Sequence, residues 1–425
     1  MKLQKLCSLC AIVAFCICAF VSCTGTKESQ WDKNGFASKK TMNKTVSETE
    51  NLESNQTRMV IAPPTQGVYL GQTTFREGEV EELEKIVGNK IAIVADYSLV
   101  RGTETAGMAL QFDLVRANAY ADAGYAIIVG AYEAYPGHKG FTVDQLLKGK
   151  YDLQLTELAE QFRQYRGYMF FTTCREPNGV LQDFYGGFGQ DGDKSLLWAI
   201  RNHAGFDKFH PPQTSQHEAQ LYSGLGRDDL ADGIERLGAA QRYYHDFFIR
   251  RQRLTNLTFE TMGWATQGPM VVRKNIGAYE RRLNEALSLE SLLTSIGNYY
   301  DWISINWYLN TEPEAETGYH PSEAPQRHSE AMELRLQQIA KIAPNRPVLL
   351  TEFGILEPNR KQKAKEAFKL IKSSGQIKGV VFWGAKVSGN PFDGALRFGE
   401  PSAVVLQGLT RGNSSWAQPV INAEN

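Results

Sequence analysis

Glu176 and Glu352 each stand where an apolar, strand-forming run gives way to turn residues, in YMFFTTCREPNG (168–179) and RPVLLTEFG (346–354). Two carboxyl groups facing one cleft are the minimum apparatus for cutting a glycosidic bond. One protonates the leaving oxygen, and the other attacks the anomeric carbon or activates water. Residues at comparable run ends are Tyr97, Glu133, Arg175, Asn178, Trp264, Gln267, Asn306, Trp307, Tyr308, Trp383 and Lys386. The set is dominated by carboxylates and aromatics, and pyranose rings stack their apolar faces on indole and phenol planes while polar groups take the hydroxyls. No Ser or Cys nucleophile turn accompanies His138, His245, His320 or His328, which read as surface or packing residues.

Such residues need a scaffold that brings the ends of distant runs together. Eight short apolar runs recur, at 67–71, 90–97, 125–132, 168–176, 256–264, 300–308, 346–354 and 379–385. Segments of helical period lie between them, at 79–88, 152–167, 235–251, 329–343 and 360–375. In the second of these, Leu155, Leu158, Ala159, Phe162 and Tyr165 recur at three- and four-residue steps, with Glu157, Glu160, Gln161 and Arg163 opposite. Alternating strand and helix predicts an α/β fold with parallel strands, and eight continuous apolar runs suit strands covered on both faces, as in a (β/α)8 TIM barrel. A doubly wound open sheet is the alternative, but no glycine-rich turn of dinucleotide-binding type follows the first strands. In a barrel the βα loops at the C-terminal strand ends carry the chemistry, where the residues above stand.

The N-terminus is of another kind. Lys2 and Lys5 precede an uncharged stretch from Leu6 to Val21, the pattern of a secretory signal over residues 1–22. The stretch ends Phe20-Val21-Ser22-Cys23, which resembles a bacterial lipobox, so Cys23 is the expected lipid-bearing residue of an extracytoplasmic protein of the bacterial cell envelope. Five of the six cysteines (Cys7, Cys10, Cys16, Cys18 and Cys23) lie here, and Cys174 alone falls in the remainder, so neither a disulfide framework nor a thiolate metal cluster can be built. Residues 23–66 are rich in Ser, Thr, Asn, Lys and Glu and read as a flexible tether. The barrel is then expected over 67–411 and a C-terminal tail over 412–425. A net charge of −1 offers no reason to expect nucleic acid.

Over 67–408 the order of motifs resembles glycoside hydrolase family 26, whose members are retaining barrel hydrolases of the β-mannanase type. Arg175-Glu176-Pro177-Asn178-Gly179 is similar to the motif that carries the family's acid/base at the end of strand four. Arg346-Pro347 followed by Val348-Leu349-Leu350-Thr351-Glu352-Phe353-Gly354 is similar to the motif of its nucleophile on strand seven. Tyr308 matches a tyrosine that supports the nucleophile, and Trp383 an aromatic that floors the cleavage subsite. The resemblance thus implies Glu176 and Glu352 as the catalytic pair. Tyr97, Glu133, Arg175, Asn178, Trp264, Trp307, Tyr308 and Trp383 are the residues expected to meet the sugar. A β-linked polysaccharide is the implied substrate, β-1,4-mannan first, with β-glucan and xylan as alternatives, for a monomer that needs no metal or organic cofactor. Membrane contact is expected through the lipid alone.

Two positions differ from the pattern: Arg175 stands where the family has His, and Thr172 where it has Arg. A guanidinium beside an acid catalyst lowers a carboxyl pKa that the chemistry needs raised. The sequence therefore also fits a barrel that binds glycan at a cell surface without turnover. The long insert at about 180–233 holds Phe184, Tyr185, Phe188 and Trp198, which suit the wall of an extended cleft. His203, His210 and His217 recur within it beside Glu218, but Pro211 and Pro212 break the helix that metal-ligating spacing would need. The basic run 360–369 has helical spacing and reads as a solvated outer face.

Overall fold

The apolar runs become the strands of one curled parallel sheet. The computed structural model describes residues 58–74, 78–102, 110–130, 146–173, 234–261, 263–266, 270–272, 288–309, 327–355, 359–383, 416–417 and 420–423. All lie in the unit formed by 57–386 and 393–425; the other unit, 1–56 with 387–392, lies outside the described residues. The strands are β1 (Val68–Thr73), β2 (Ile93–Ala95), β3 (Ala126–Gly130), β4 (Met169–Thr172), β5 (Leu257–Phe259), β6 (Ile303–Leu309), β7 (Val348–Ile355) and β8 (Ile377–Trp383). Each matches one of the eight runs.

Parallel pairing proceeds from β5 through β4, β3, β2, β1, β8, β7 and β6 to the short segment Trp264–Ala265. The two ends of that order are one stretch of chain. Leu257–Phe259 pairs with β4, Trp264–Ala265 pairs with β6, and between them one isolated bridge joins Glu260 to Trp302. The regular ladder therefore does not close all the way round, as a complete barrel would. The interruption has a local cause: Gly263 adopts φ 54°, a left-handed conformation that no extended strand can contain.

Helices α1 (Glu79–Val87), α2 (Leu114–Asp122), α3 (Asp152–Arg163), α4 (Ile234–His245), α5 (Leu289–Ile296), α6 (His328–Ile342) and α7 (Arg360–Ser373) flank the sheet, and α4 runs into a π-helical turn over Asp246–Arg251. On α3 the buried residues are Leu155, Leu158, Ala159 and Phe162, the stripe its spacing requires. Helices α2 and α5 are not among the segments read from period, and each is started by a side-chain cap: Asp113 accepts from the Arg116 amide at 3.1 Å, and Ser288 from that of Ser291 at 3.1 Å. On α7, Lys361, Lys365 and Lys369 are exposed, but Lys363 is buried with its Nζ directed at the Leu309 carbonyl, 3.5 Å away.

Side-chain alternation divides the core in two. One set of strand residues, including Val94, Val129, Phe171, Phe259, Ile305 and Leu350, packs in a single cluster with helix residues such as Phe162, Leu292 and Phe368. The alternate set, Tyr69, Ile93, Ala95, Ala126, Ile128, Phe170, Leu349 and Val381, forms a second cluster with Trp302 inside the curl of the sheet.

A strand at Met59–Ala62 joins this inner cluster. Ile61 is 1% exposed, its amide donates to Thr258 Oγ1 at 2.8 Å, and its carbonyl accepts from Trp302 Nε1 at 2.8 Å. The Tyr69 hydroxyl donates to the Ala62 carbonyl at 2.7 Å, and Arg58 pairs with Asp301. Met59–Ala62 also pairs antiparallel with Val420–Ala423, while Trp416–Ala417 pairs parallel with β1. These segments fall outside the 67–411 span expected for the barrel. Four residues, MVIA, leave a polar segment's composition almost unchanged, yet they are enough to fill the space beneath Trp302.

Among the described residues, no helix is long and apolar enough to cross a membrane, and no group of three or more His, Cys, Asp or Glu is placed to hold a metal ion.

Candidate active site

The site is built from a break in alternation on β7. Leu349 lies in the inner cluster and Leu350 in the outer one, so a regular strand would next turn Thr351 inward and Glu352 outward. The register against β6 shifts instead. Ile305 pairs with Leu350 and Asn306 with Glu352, leaving Thr351 as an extra residue in a bulge. At such a bulge two successive residues oppose one partner and the following side chain is re-aimed. Phe353 consequently returns to the outer cluster, and Glu352 shares the inner side with Tyr308 of β6.

Glu352 is 1% exposed, and both carboxyl oxygens are held by tyrosines. The Tyr308 hydroxyl donates to Oε2 at 2.5 Å, and the Tyr97 hydroxyl, from the end of β2, donates to Oε1 at 3.0 Å. Gly354 makes the first of these possible: a Cβ there would lie 2.5 Å from Tyr308 Cδ1 and 2.7 Å from Cε1, within the ring's own space. Trp383, at the end of β8 and partly exposed, meets the Tyr308 ring edge-on with centroids 6.3 Å apart at 75°. One carboxylate, two phenols and an indole are thus gathered from the C-terminal ends of four strands.

The base of Tyr97 is fixed by Asp96, which is 2% exposed. Its Oδ1 accepts from the Ser98 amide at 3.0 Å and the Ser98 hydroxyl at 2.7 Å, and Oδ2 lies 3.3 Å from Arg116 Nε and 3.2 Å from the Tyr120 hydroxyl. Burial first, then the Asp96 charge, pushes the Tyr120 phenol well above its ordinary pKa, so it stays a donor. A second carboxylate is also buried, Glu260 just beyond β5, 1% exposed and accepting from the Gly263 amide at 3.2 Å. Neither Asp96 nor Glu260 has a sequence signal beyond standing at the end of an apolar run.

Of the residues expected to meet a sugar, Tyr97, Tyr308 and Trp383 come together around Glu352. Trp264 and Trp307 do not. Both are 1% exposed and lie in the outer cluster, Trp307 against the Phe353 ring with centroids 5.4 Å apart. The reason is parity: Ile305, Trp307 and Leu309 share one face of β6, while Tyr308 takes the other. Glu133, Arg175, Glu176, Asn178 and Cys23 lie outside the described residues. His245 is a packing residue, its ring 4.9 Å from that of Phe259 and 5.0 Å from that of Tyr299.

No protein-family model matches the sequence, and no curated protein matches it. Solved structures do. A GH26 β-mannanase from Bacteroides ovatus aligns with a TM-score of 0.51 at 11% identity, covering 82% of this chain and 89% of that one. The fold is shared with that GH26 enzyme. GH26C from Muricauda aligns with a TM-score of 0.49 at 11% identity, over 83% of this chain and 87% of that one. A modular endo-β-1,4-mannanase from Cellulomonas fimi gives 0.48 at 12% identity, over 83% and 72%. At such identities the likeness concerns architecture, a GH26-like curled α/β sheet, and the chemistry must be argued from the side chains.

Proposed function

We propose that the chain is a retaining glycoside hydrolase of the β-mannanase type, cleaving a β-linked polysaccharide with β-1,4-mannan as the first candidate. The observation that carries this reading is Glu352, buried at the inner end of β7 with a tyrosine hydroxyl on each oxygen. One phenol hydroxyl on each oxygen holds the carboxylate in place, as a nucleophile requires. The shared architecture with the Bacteroides ovatus β-mannanase supports the reading, the curled sheet being read as a (β/α)8 barrel whose ladder is interrupted at Gly263.

In this mechanism Glu176 protonates the leaving oxygen while Glu352 attacks the anomeric carbon to form a glycosyl-enzyme. Glu176 then removes a proton from water, which displaces Glu352 and releases the sugar with its configuration retained. The negative charge of Glu352 is neutralised as the bond forms, so the hydrogen bonds from Tyr97 and Tyr308 must be set to aim it without overstabilising it. Trp383 offers a ring face to the reacting sugar beside Tyr308. Residues 1–22 are read as a signal, and lipidation at Cys23 would anchor the enzyme in the bacterial cell envelope, outside the cytoplasm.

Incubating the purified protein with mannan, lichenan and xylan, beside Glu352→Gln and Glu176→Gln, tests the reading. Products from the native protein that are lost in both variants support it. Binding without products from the native protein would reject it.

A further inference from the structure

The interruption of the ladder at Gly263 and the bulge at Thr351 sit on either side of β6, and hydrogen bonds run between them. The Thr351 hydroxyl donates to Asn306 Oδ1 at 2.7 Å. Asn306 is the β6 residue paired with both Glu352 and Ala265, so it faces the bulge on one side and the break on the other. Gly263 packs against the same bond: a Cβ there would lie 3.0 Å from Asn306 Oδ1 and 3.0 Å from Thr351 Oγ1. Its amide in turn donates to Ser304 Oγ at 2.7 Å and faces Glu260 Oε2 at 3.2 Å. Ser304 is tied back to the chain before the break, its amide donating to Thr261 Oγ1 at 2.9 Å.

We infer that these two irregularities form one device, in which Thr351 acts through Asn306 as the positioning residue that keeps Glu352 aimed into the curl of the sheet. The physical argument is one of competing registers. A bulge leaves an extra residue without a ladder partner, and the strand could relieve it by slipping one position. That slip would turn Glu352 toward the outer cluster that holds Trp307 and swing Phe353 inward, since one residue of slip exchanges the faces. Regular pairing offers no preference that prevents it. The Thr351 hydroxyl holds the bulge in place, because it ties the extra residue to Asn306, the residue that Glu352 pairs with. The buried surroundings raise the cost of breaking it, Thr351 being 4% and Asn306 2% exposed. Gly263 completes the device: with φ 54° and no Cβ it packs against that bond, where a Cβ would lie 3.0 Å from both of its oxygens.

The inference rests on the proposed function only in taking Glu352 as the reacting carboxylate. The test is Thr351→Val, which keeps the shape and removes the hydroxyl, beside Thr351→Ser, which restores it. Two readouts are followed: turnover on the polysaccharide that the native protein cleaves, and the titration of the Glu352 carboxyl carbon by NMR, its resonance assigned through Glu352→Gln. The device requires that Thr351→Val displace the Glu352 titration and lower kcat roughly 10- to 100-fold with KM within about two-fold, as misaimed reacting groups do. Thr351→Ser must recover most of both. A native titration and native kcat in Thr351→Val would overturn it, as would failure of Thr351→Ser to recover either. If Thr351→Val does not fold by near-ultraviolet circular dichroism, Asn306→Ala takes its place with the same expectations. Should the native protein cleave none of the polysaccharides, the functional reading falls while the Glu352 resonance still decides the positioning role.

Discussion

The hydroxyl of Tyr308 reaches Glu352 Oε2 at 2.5 Å across adjacent strands, over a glycine that leaves its ring no other obstacle. Tyr97 approaches the other oxygen from β2, with β1 and β8 lying between β2 and β7 in the sheet order. A hydrogen bond to a charged group is worth about 1.5–3 kcal/mol. Tyr308→Phe should therefore lower kcat by roughly 10- to 100-fold with little change in KM, and lower the melting temperature by a few degrees. Tyr97→Phe, at the longer distance, should cost less. Steady-state kinetics on the cleaved polysaccharide, with thermal unfolding as control, checks both.

Gly354→Ala places a methyl group 2.5 Å from Tyr308 Cδ1, on two strands whose backbones cannot separate. The expected cost is about 1–3 kcal/mol of stability, the usual range for overpacking. Activity should fall as far as in Tyr308→Phe, because the ring is displaced from Glu352. In a Gly354→Ala, Tyr308→Phe double variant the two activity losses should be far from additive, which a double-mutant cycle would read directly.

Trp307 and Trp383 should separate by what they change. Trp307→Phe removes bulk from the outer core, where Trp307 is 1% exposed, and should lower the urea midpoint while leaving KM alone. Trp383→Ala should raise KM and leave the midpoint nearly unchanged. The reverse pattern would show that the face assignment on β6 is wrong.

Ile61 is the clearest measure of the early strand. Ile61→Ala should cost about 2–5 kcal/mol if Met59–Ala62 fills the inner cluster as the structure places it. Chemical denaturation of the variant beside the native protein gives that value. A loss below about 0.5 kcal/mol, the scale of ordinary surface substitutions, would return residues 58–66 to the tether.

His245 makes stability depend on pH in one direction. Burial first, then the charge of Arg58, pushes its pKa down to about 4 from 6.5. The folded state therefore keeps the ring neutral where the unfolded chain protonates it, so stability falls as pH drops from about 6.5 to 4 and levels off below. The full effect is no more than about 3 kcal/mol. In His245→Gln the loss between pH 7 and pH 5 should be smaller than in the native protein, by denaturant midpoints at the two values.

Much of this architecture was legible in the order of residues. Eight apolar runs give eight strands in register with their expected places, and the three- and four-residue spacing on α3 buries the residues it should. Tyr97, Tyr308, Glu352 and Trp383 converge because each ends a parallel strand, and parallel strands end together. Trp264 and Trp307 also stand near strand ends, but nearness to an end does not reveal a face. The short strand Met59–Ala62 was hidden for a different reason: its partners lie some two hundred residues away, at Thr258 and Trp302, and local composition carries no trace of them.

What the sequence determined by itself is the eight strands of the main sheet, their parallel sense and the set of residues at their C-terminal ends, because hydrophobic period and turn residues act over a few positions. Only the tertiary structure decided which of those residues face inward. That choice depends on single-residue shifts such as the bulge at Thr351 and the left-handed Gly263, and these are settled by hydrogen bonds between strands that lie far apart in sequence.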